Sequence, residues 1–533
     1  MKKRALISVY DKGGAAELAA FLAGEGWELL STGGTAAYLK GQGLAVTDVA
    51  EVTGFPECLD GRVKTLHPAI HAGLLARRNA PSHMETLARL HLGTIDLVCV
   101  NLYPFFEKVQ AGLGLEETVE FIDIGGPTML RSAAKNFRDV LVLSDPADYA
   151  AAITHIKNDD IPLEFRKRLA GKVFDLTAAY DAAIARYLLD DAYPAYLPLS
   201  LKKAQSLRYG ENAHQGAALY LNTDRPGALA GMTQLNGKEL GYNNIRDLDL
   251  AWKTVCAFGL PAAGLAPAGE AEAAALVPGG KELPRKTACC AAVKHNTPCG
   301  LALGDTLLEA YGKAYACDPV SIFGGVVACN VHVDKDTALK LAELFLEIVI
   351  APGFDPAALD VLRQKKNLRV IQAARPPLGE RDYAAVDGGL LAQDADRTLL
   401  EKWDVVTKAA PLAGDLADML FGLRAVTWVK SNAIVVVKDQ AALGIGGGQT
   451  NRIWAAEQAV GRAAAICRAA AAGPTVLASD AFFPFADVVE AAAKAGIRAL
   501  VQPGGSIRDQ ESIDACDRLG LAMVFTGTRH FKH

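Results

Sequence analysis

The sequence predicts an α/β protein of two successive domains. Short apolar runs alternate with helical patterns from end to end, the order that parallel sheets with crossover helices produce. The segment Tyr193-Pro-Ala-Tyr-Leu-Pro198 breaks that alternation and reads as a linker, which sets the first domain at 1–195 and the second at 200–533. The length of 533 residues corresponds to roughly three to four structural units, and a hydrophobic content of 51% is ample for their cores.

In the first domain, residues 5–9 form an apolar run of strand length, 15–22 a helical pattern, 28–30 a strand and 35–40 a helix. Residues 95–102 and 140–143 supply further buried strands, with a helix over 128–136 between them, and 163–189 reads as a helical stretch. That order gives a parallel sheet flanked by helices. In the second domain, apolar runs fall at 289–293, 322–327, 433–437, 475–478, 499–501 and 522–525. Residues 259–280 are rich in Ala, Gly and Pro without a period, which predicts an inserted surface loop, the most mobile part of the chain. Val293-Lys-His-Asn296 is echoed by Val429-Lys-Ser-Asn432, each at the edge of an apolar run. Two similar α/β lobes facing each other would put His295 and Asn432 near one cleft.

Net charge is −5 and the basic residues are spread along the chain, so neither nucleic acid nor a membrane surface has an electrostatic footprint. No apolar stretch reaches the ~18 residues of a membrane span, and Met1-Lys-Lys-Arg precedes only a short apolar run before Asp11. A cytoplasmic protein without a secretory signal is therefore expected. The ten cysteines include no CxxC pair, which predicts reduced thiols rather than a disulfide framework.

Chemistry concentrates in a few segments. Thr32-Gly-Gly-Thr35 lies between a strand and a helix, where free backbone N–H groups and the helix dipole favour a phosphate, and Ser8, Asp11 and Lys12 follow the neighbouring strand. The absence of GxxxxGKS and GxGxxG argues against ATP and dinucleotides. Gly61-Arg-Val-Lys-Thr-Leu-His-Pro68 crowds cations and a hydroxyl into one loop suited to a phosphorylated ligand; a solvated basic loop is the plain alternative. Asn101-Leu-Tyr-Pro-Phe105 ends a buried strand, and Asp123-Ile-Gly-Gly126 precedes a helix carrying Arg131 and Lys135. Asp, Tyr and two Lys are groups able to move protons on and off a carbonyl and an amide nitrogen. Their plain alternatives are a helix cap for Asp123 and an exposed helix face for Lys135. In the second domain Lys294-His295 sits where an apolar run gives way to Asn296-Thr-Pro-Cys-Gly300, a cation beside the side chain best able to take a proton near neutrality.

Taken in order, these segments, with Leu207-Arg-Tyr-Gly-Glu-Asn212, Phe323-Gly-Gly325, Ile350-Ala-Pro-Gly353, Gly444-Ile-Gly-Gly-Gly-Gln449 and Ser479-Asp-Ala-Phe-Phe-Pro-Phe485, resemble the bifunctional purine-biosynthesis family that joins AICAR transformylase to IMP cyclohydrolase. The resemblance covers essentially the whole chain. It implies an N-terminal domain similar to the methylglyoxal synthase fold and a C-terminal transformylase of two lobes similar to cytidine deaminase. It assigns Lys64, Tyr103, Asp123 and Lys135 to ring closure of formyl-AICAR, with Lys12, Gly33, Gly34, Thr35, Arg62, Thr65, Gly125 and Gly126 around the ribotide. It assigns Lys294, His295 and Asn432 to formyl transfer from 10-formyltetrahydrofolate to AICAR. Arg208, Tyr209, Arg529 and Phe531 fall on the ribotide, and Phe323, Glu347, Arg452, Phe482 and Asp487 on the folate. It further implies a homodimer whose transformylase sites are shared between subunits, and no catalytic metal. Pro298-Cys299-Gly-Leu-Ala302 lacks the second Cys of a P-C-x-x-C zinc site, consistent with that last point. Tyr10, Gly13 and Ala213 depart from the family pattern. A nucleotide-sensing regulatory module fused to a deaminase-like domain is the alternative.

Overall fold

A computed structural model describes residues 2–533 apart from 224, 284, 285, 471, 472 and 474. The chain divides into two units, residues 1–202 with 222–225, and 203–221 with 226–533. In the first, five strands, β1 (Arg4–Ser8), β2 (Glu28–Ser31), β3 (Val46–Asp48), β4 (Leu97–Val100) and β5 (Leu141–Leu143), form one sheet in the order β3-β2-β1-β4-β5. Every pairing is parallel. The central strands β1 and β4 are apolar and buried because helices cover both faces, as crossover connections require. The sheet grows outward from β1 in one direction and from β4 in the other. Order therefore reverses between them, and a crevice opens beyond their C-terminal ends. The helix Gly125–Lys135 runs back from that crevice. The 26-residue helix Leu163–Leu188 buries Phe165, Leu169, Val173, Tyr180 and Ala183 at helical spacing.

The second unit holds most of a two-stranded ribbon, β6 (Leu201–Leu207) with β7 (Ala217–Asn222), of which Leu201, Lys202 and Asn222 fall in the first unit, and a twelve-stranded sheet. One half of that sheet comprises β8 (Thr233–Asn236), β9 (Ala288–Lys294), β10 (Thr297–Gly304), β11 (Val326–Cys329), β12 (Ile348–Ala351) and β13 (Arg369–Gln372). A hairpin, β14 (Arg381–Val386) with β15 (Gly389–Asp394), stands apart from it. The other half comprises β16 (Asp404–Val405), β17 (Ile434–Lys438), β18 (Ala441–Gly446), β19 (Val476–Ser479), β20 (Ala499–Gln502) and β21 (Ala522–Phe525).

The order β16-β21-β20-β19-β17-β18-β10-β9-β11-β12-β13-β8 is the same pattern written twice about its middle. In each half a two-residue hairpin, β9–β10 or β17–β18, is followed by an antiparallel neighbour, two parallel strands and an antiparallel edge strand. The halves meet where β10 and β18 pair antiparallel through a single bridge, Ala302 with Ala441. Glycines allow the covering helices to sit against these two strands. A Cβ at Gly300 would collide with the Ala314 carbonyl, and one at Gly444 or Gly446 with the carbonyls of Ala459 or Ala455.

Residues 259–280 lie largely at the surface, as expected, but are not all loop. They include the helix Glu270–Leu276, whose Ala273 is buried, and Val277 beyond it joins the same core. Arg424 donates to the Ala268 carbonyl and to Glu270. A segment lacking periodicity is thus tied to the core by a buried guanidinium far along the chain, a contact that no local pattern carries. Among the described residues no helix is long and apolar enough to cross a membrane.

Candidate active sites

In the first unit a cavity of about 630 Å³ occupies the crevice beyond β1 and β4. Lys12, Gly33, Gly34, Thr35, Arg62, Lys64, Thr65, Tyr103, Asp123, Gly125 and Gly126 all line it. Thr32 follows β2 in extended backbone and Gly33 starts the next helix at φ +54°, so that Gly33, Gly34 and Thr35 of its first turn line the cavity. The Thr35 hydroxyl is occupied by the backbone of Val9, donating to its carbonyl (2.9 Å) and accepting from its N–H (3.1 Å). Asn101 clamps the loop after β1: its side-chain oxygen accepts from the amides of Tyr10 and Asp11, and its amide donates to the Asp11 carbonyl.

Asp123 accepts from the Gly126 amide at 2.8 Å, and burial raises its carboxyl above the ordinary range. Tyr180 fixes the backbone beside it, accepting from the Asp123 amide and donating to the Phe121 carbonyl. Lys64 pairs with Glu57 at 3.1 Å and Arg62 with Glu120. Tyr10 meets Tyr103 edge to face, ring centroids 5.7 Å apart. Lys135 is separated from this group. It is exposed on the last turn of its helix, roughly 15 Å along the axis from the Gly125 end.

In the second unit the strand directions gather the expected residues along one edge of the large sheet. Strand β9 ends there at Lys294, β11, β12 and β13 begin there, β17 begins there just after Asn432, and β19 ends there just before Phe482. His295 and Asn296 form the whole turn between β9 and β10, both in left-handed backbone (φ +54° and +56°). The pair therefore occupies a tight hairpin rather than an open loop. His295 is exposed and, with Lys294, Thr297, Cys299, Gln458 and the ion pair of Arg462 with Asp318, lines a cleft of about 330 Å³. The Lys294 ammonium donates to the Phe323 carbonyl at 2.6 Å, next to the exposed pair Phe323 and Phe345.

Asn432 lies at the same edge but does not line that cleft, because β10 and β18 stand between its strand and that of His295. Three strand spacings are about 14 Å. Its side chain is held at both ends, donating to the Gln449 carbonyl (2.8 Å) and accepting from Arg452 (2.6 Å). Arg452 is buried and also donates to Ser479 and Asp480. Glu347 pairs with Arg369 at 2.6 Å. Phe482 is exposed, and Asp487 opens a short helix beyond it. Arg529 stacks over Phe531, and the C-terminal segment is tied to the start of β17 by mutual hydrogen bonds of Ser431 and Lys532. Arg208 and Tyr209 are exposed past the end of β6, outside the cleft.

Reading the sequence missed Asn101's clamp, Tyr180, the Arg462–Asp318 pair and the carboxylate of Asp247, which accepts from the Asn296 amide at 2.6 Å. Only the position of Asn101 at a strand end carried a local signal. Among the described residues there is no group of three or more His, Cys, Asp or Glu placed to hold a metal.

Fold and cavities describe an α/β protein of two units whose first unit places a helix N-terminus and titratable side chains together at a sheet switch point. Residues 14–128 match the MGS-like domain, and residues 133–462 match the AICARFT/IMPCHase bienzyme. The bifunctional purine biosynthesis protein PurH of Clostridium botulinum strain Okra is 56% identical over 534 residues, covering 100% of both chains. The protein of the same description from Clostridium perfringens strain SM101 is 55% identical over 536 residues, again covering 100% of each. The chain belongs to the AICARFT/IMPCHase bienzyme family.

Proposed function

We propose that the two activities of this purine-biosynthesis bienzyme are divided between its two units: the first closes formyl-AICAR to IMP, and the second forms formyl-AICAR from AICAR. The protein is an AICAR formyltransferase and IMP cyclohydrolase by family. The assignment of each step to particular residues is our own reading. One observation supports it most: the basic and backbone donors of a phosphate site and a half-buried carboxyl line one cavity in the first unit.

In that cavity the amides of Gly33 and Gly34, with Lys12 and Arg62, hold the ribotide phosphate. Asp123, Tyr103 and Lys64 surround the reacting amide and formyl groups. Ring closure is intramolecular, so fixing those groups in near-attack geometry supplies much of the acceleration. The carboxyl of Asp123, pushed up by burial, moves the proton between nitrogen and the departing water.

In the second unit the formyl donor is 10-formyltetrahydrofolate, its flat ring packing on exposed Phe323 and Phe482, with Asp487 and Glu347 near its polar edge. The AICAR amine forms a bond to the formyl carbon, His295 accepts the amine proton, and as the bond from that carbon to the folate nitrogen breaks the nitrogen takes up a proton in its place, so that tetrahydrofolate leaves neutral. Lys294 and Asn432, the latter aimed by Arg452, stabilise the charge that develops on the formyl oxygen. Because Asn432 lies beyond the cleft of His295, and Arg208 and Tyr209 lie outside it, we propose that the working site is shared between subunits of a homodimer.

His295→Ala is expected to lower formyl transfer at least about 100-fold while leaving cyclisation of added formyl-AICAR within experimental scatter. Both rates are read spectroscopically on the full chain. Near-normal transfer by that variant would remove His295 as the base.

A further inference from the structure

The doubled sheet contains two versions of one turn, and comparing them exposes a residue outside the proposed reaction set. His295–Asn296 joins β9 to β10 and Asp439–Gln440 joins β17 to β18, all four residues in left-handed backbone (φ +52° to +56°). A Cβ is disfavoured in that region, least so for Asn and Asp, and neither turn contains the glycine that normally relieves it. Each must be held from outside.

The same device holds both. On the helix Tyr242–Ala257, Asp247 accepts from the Asn296 amide at 2.6 Å, and the His295 amide faces the same carboxylate. On the helix Ala413–Val426, Asp418 accepts from the Asp439 amide at 3.0 Å and the Gln440 amide at 2.6 Å. Both helices precede their hairpins in the chain and cover the same sheet. The two turns differ in what they present. Asp439 is bound by Lys286 and Lys313, whereas the His295 side chain has no ion pair among the described residues and lines the cleft.

We propose that Asp247 is the positioning residue for His295: its carboxylate fixes the left-handed turn that aims the imidazole into the cleft, and it acts on formyl transfer only through that turn. The inference rests on His295 being the base. It is specific in naming backbone geometry, rather than charge or substrate contact, as what Asp247 supplies. Asp418 performs the same task where no reaction depends on it.

The test compares Asp247→Ala, Asp247→Asn and Asp418→Asn in the full-length protein, measuring kcat and KM for AICAR formylation with 10-formyltetrahydrofolate. Cyclisation of formyl-AICAR reports folding of the rest of the chain. Asp247→Ala is expected to lower kcat by about 10- to 100-fold with KM for AICAR changed less than about threefold and cyclisation unchanged. Asp247→Asn keeps a side-chain oxygen for the two amides and is expected to recover most of kcat; Asp418→Asn should leave kcat at the wild-type value. Wild-type kcat in Asp247→Ala, or an Asn variant as impaired as the Ala variant, overturns the proposal. Failure of the underlying assignment is seen separately in His295→Ala. If that variant retains transfer, the base is wrong whatever Asp247 does; if it loses transfer while Asp247→Ala does not, only the positioning role falls.

Discussion

A single residue, Asp123, shows how burial serves one property at the expense of another. Its carboxyl caps the helix that starts at Gly125 and is raised by desolvation, so the folded chain binds its proton more tightly than the unfolded chain does. Its contribution to stability is therefore complete at pH below the ordinary carboxylate range and is lost as pH rises through the raised value. Asp123→Asn keeps an oxygen for the Gly126 amide and removes the ionisation. Cyclisation is expected to fall at least about 100-fold, while the melting temperature relative to wild type rises between pH 4 and pH 7. An unchanged difference across that range would place the charge in solvent. Asp123 was legible from sequence because it combines a capping position with a Gly-Gly helix start. Asp247 was not: its partner amide is far along the chain, and nothing local distinguishes it from Asp249 two residues on.

At the scale of elements, apolar runs predicted strands well because buried strands leave little room for polar residues. The observed β1, β9, β17, β19 and β20 each fall within a residue or so of the expected bounds. The hairpin at His295–Asn296 was missed because its usual Asn-Gly signature is absent, and the strain is met by a distant carboxylate. The helix inside residues 259–280 was missed for the related reason that its tie to the core comes from Arg424. Glycine carries a different message at β18. The helix Arg452–Ala470 can lie on the strand only because Gly444 and Gly446 lack a Cβ, and Arg452 at its start holds Asn432. Gly446→Ala is expected to cost about 1–3 kcal/mol, measured by denaturant unfolding, and to lower formyl transfer while cyclisation persists. Retained stability would mean the helix is free to move outward.

At the scale of the whole molecule, two α/β units and two similar lobes within the second were expected from alternation, one linker-like segment and a short internal echo, whereas the joining of the two halves into one continuous twelve-stranded sheet was not. The four-residue echo seen in sequence, Val293 to Asn296 against Val429 to Asn432, does not pair equivalent positions: it sets the end of β9 against the start of β17. Those ends nonetheless share an edge because the two strands run in opposite directions. If the transfer site is shared in a homodimer, mixing Arg208→Ala with His295→Ala under conditions of proven subunit exchange should restore up to about a quarter of wild-type transfer, since random pairing leaves half the dimers mixed with one intact site each. No recovery would confine the site to one chain. The repeated hairpin sets two unlike turns at opposite margins of the sheet: one presents an exposed imidazole to a cleft, while at the other Asp439 is engaged by Lys286 and Lys313, so if His295 is the base, substitutions at the second turn should lower stability and leave formyl transfer alone.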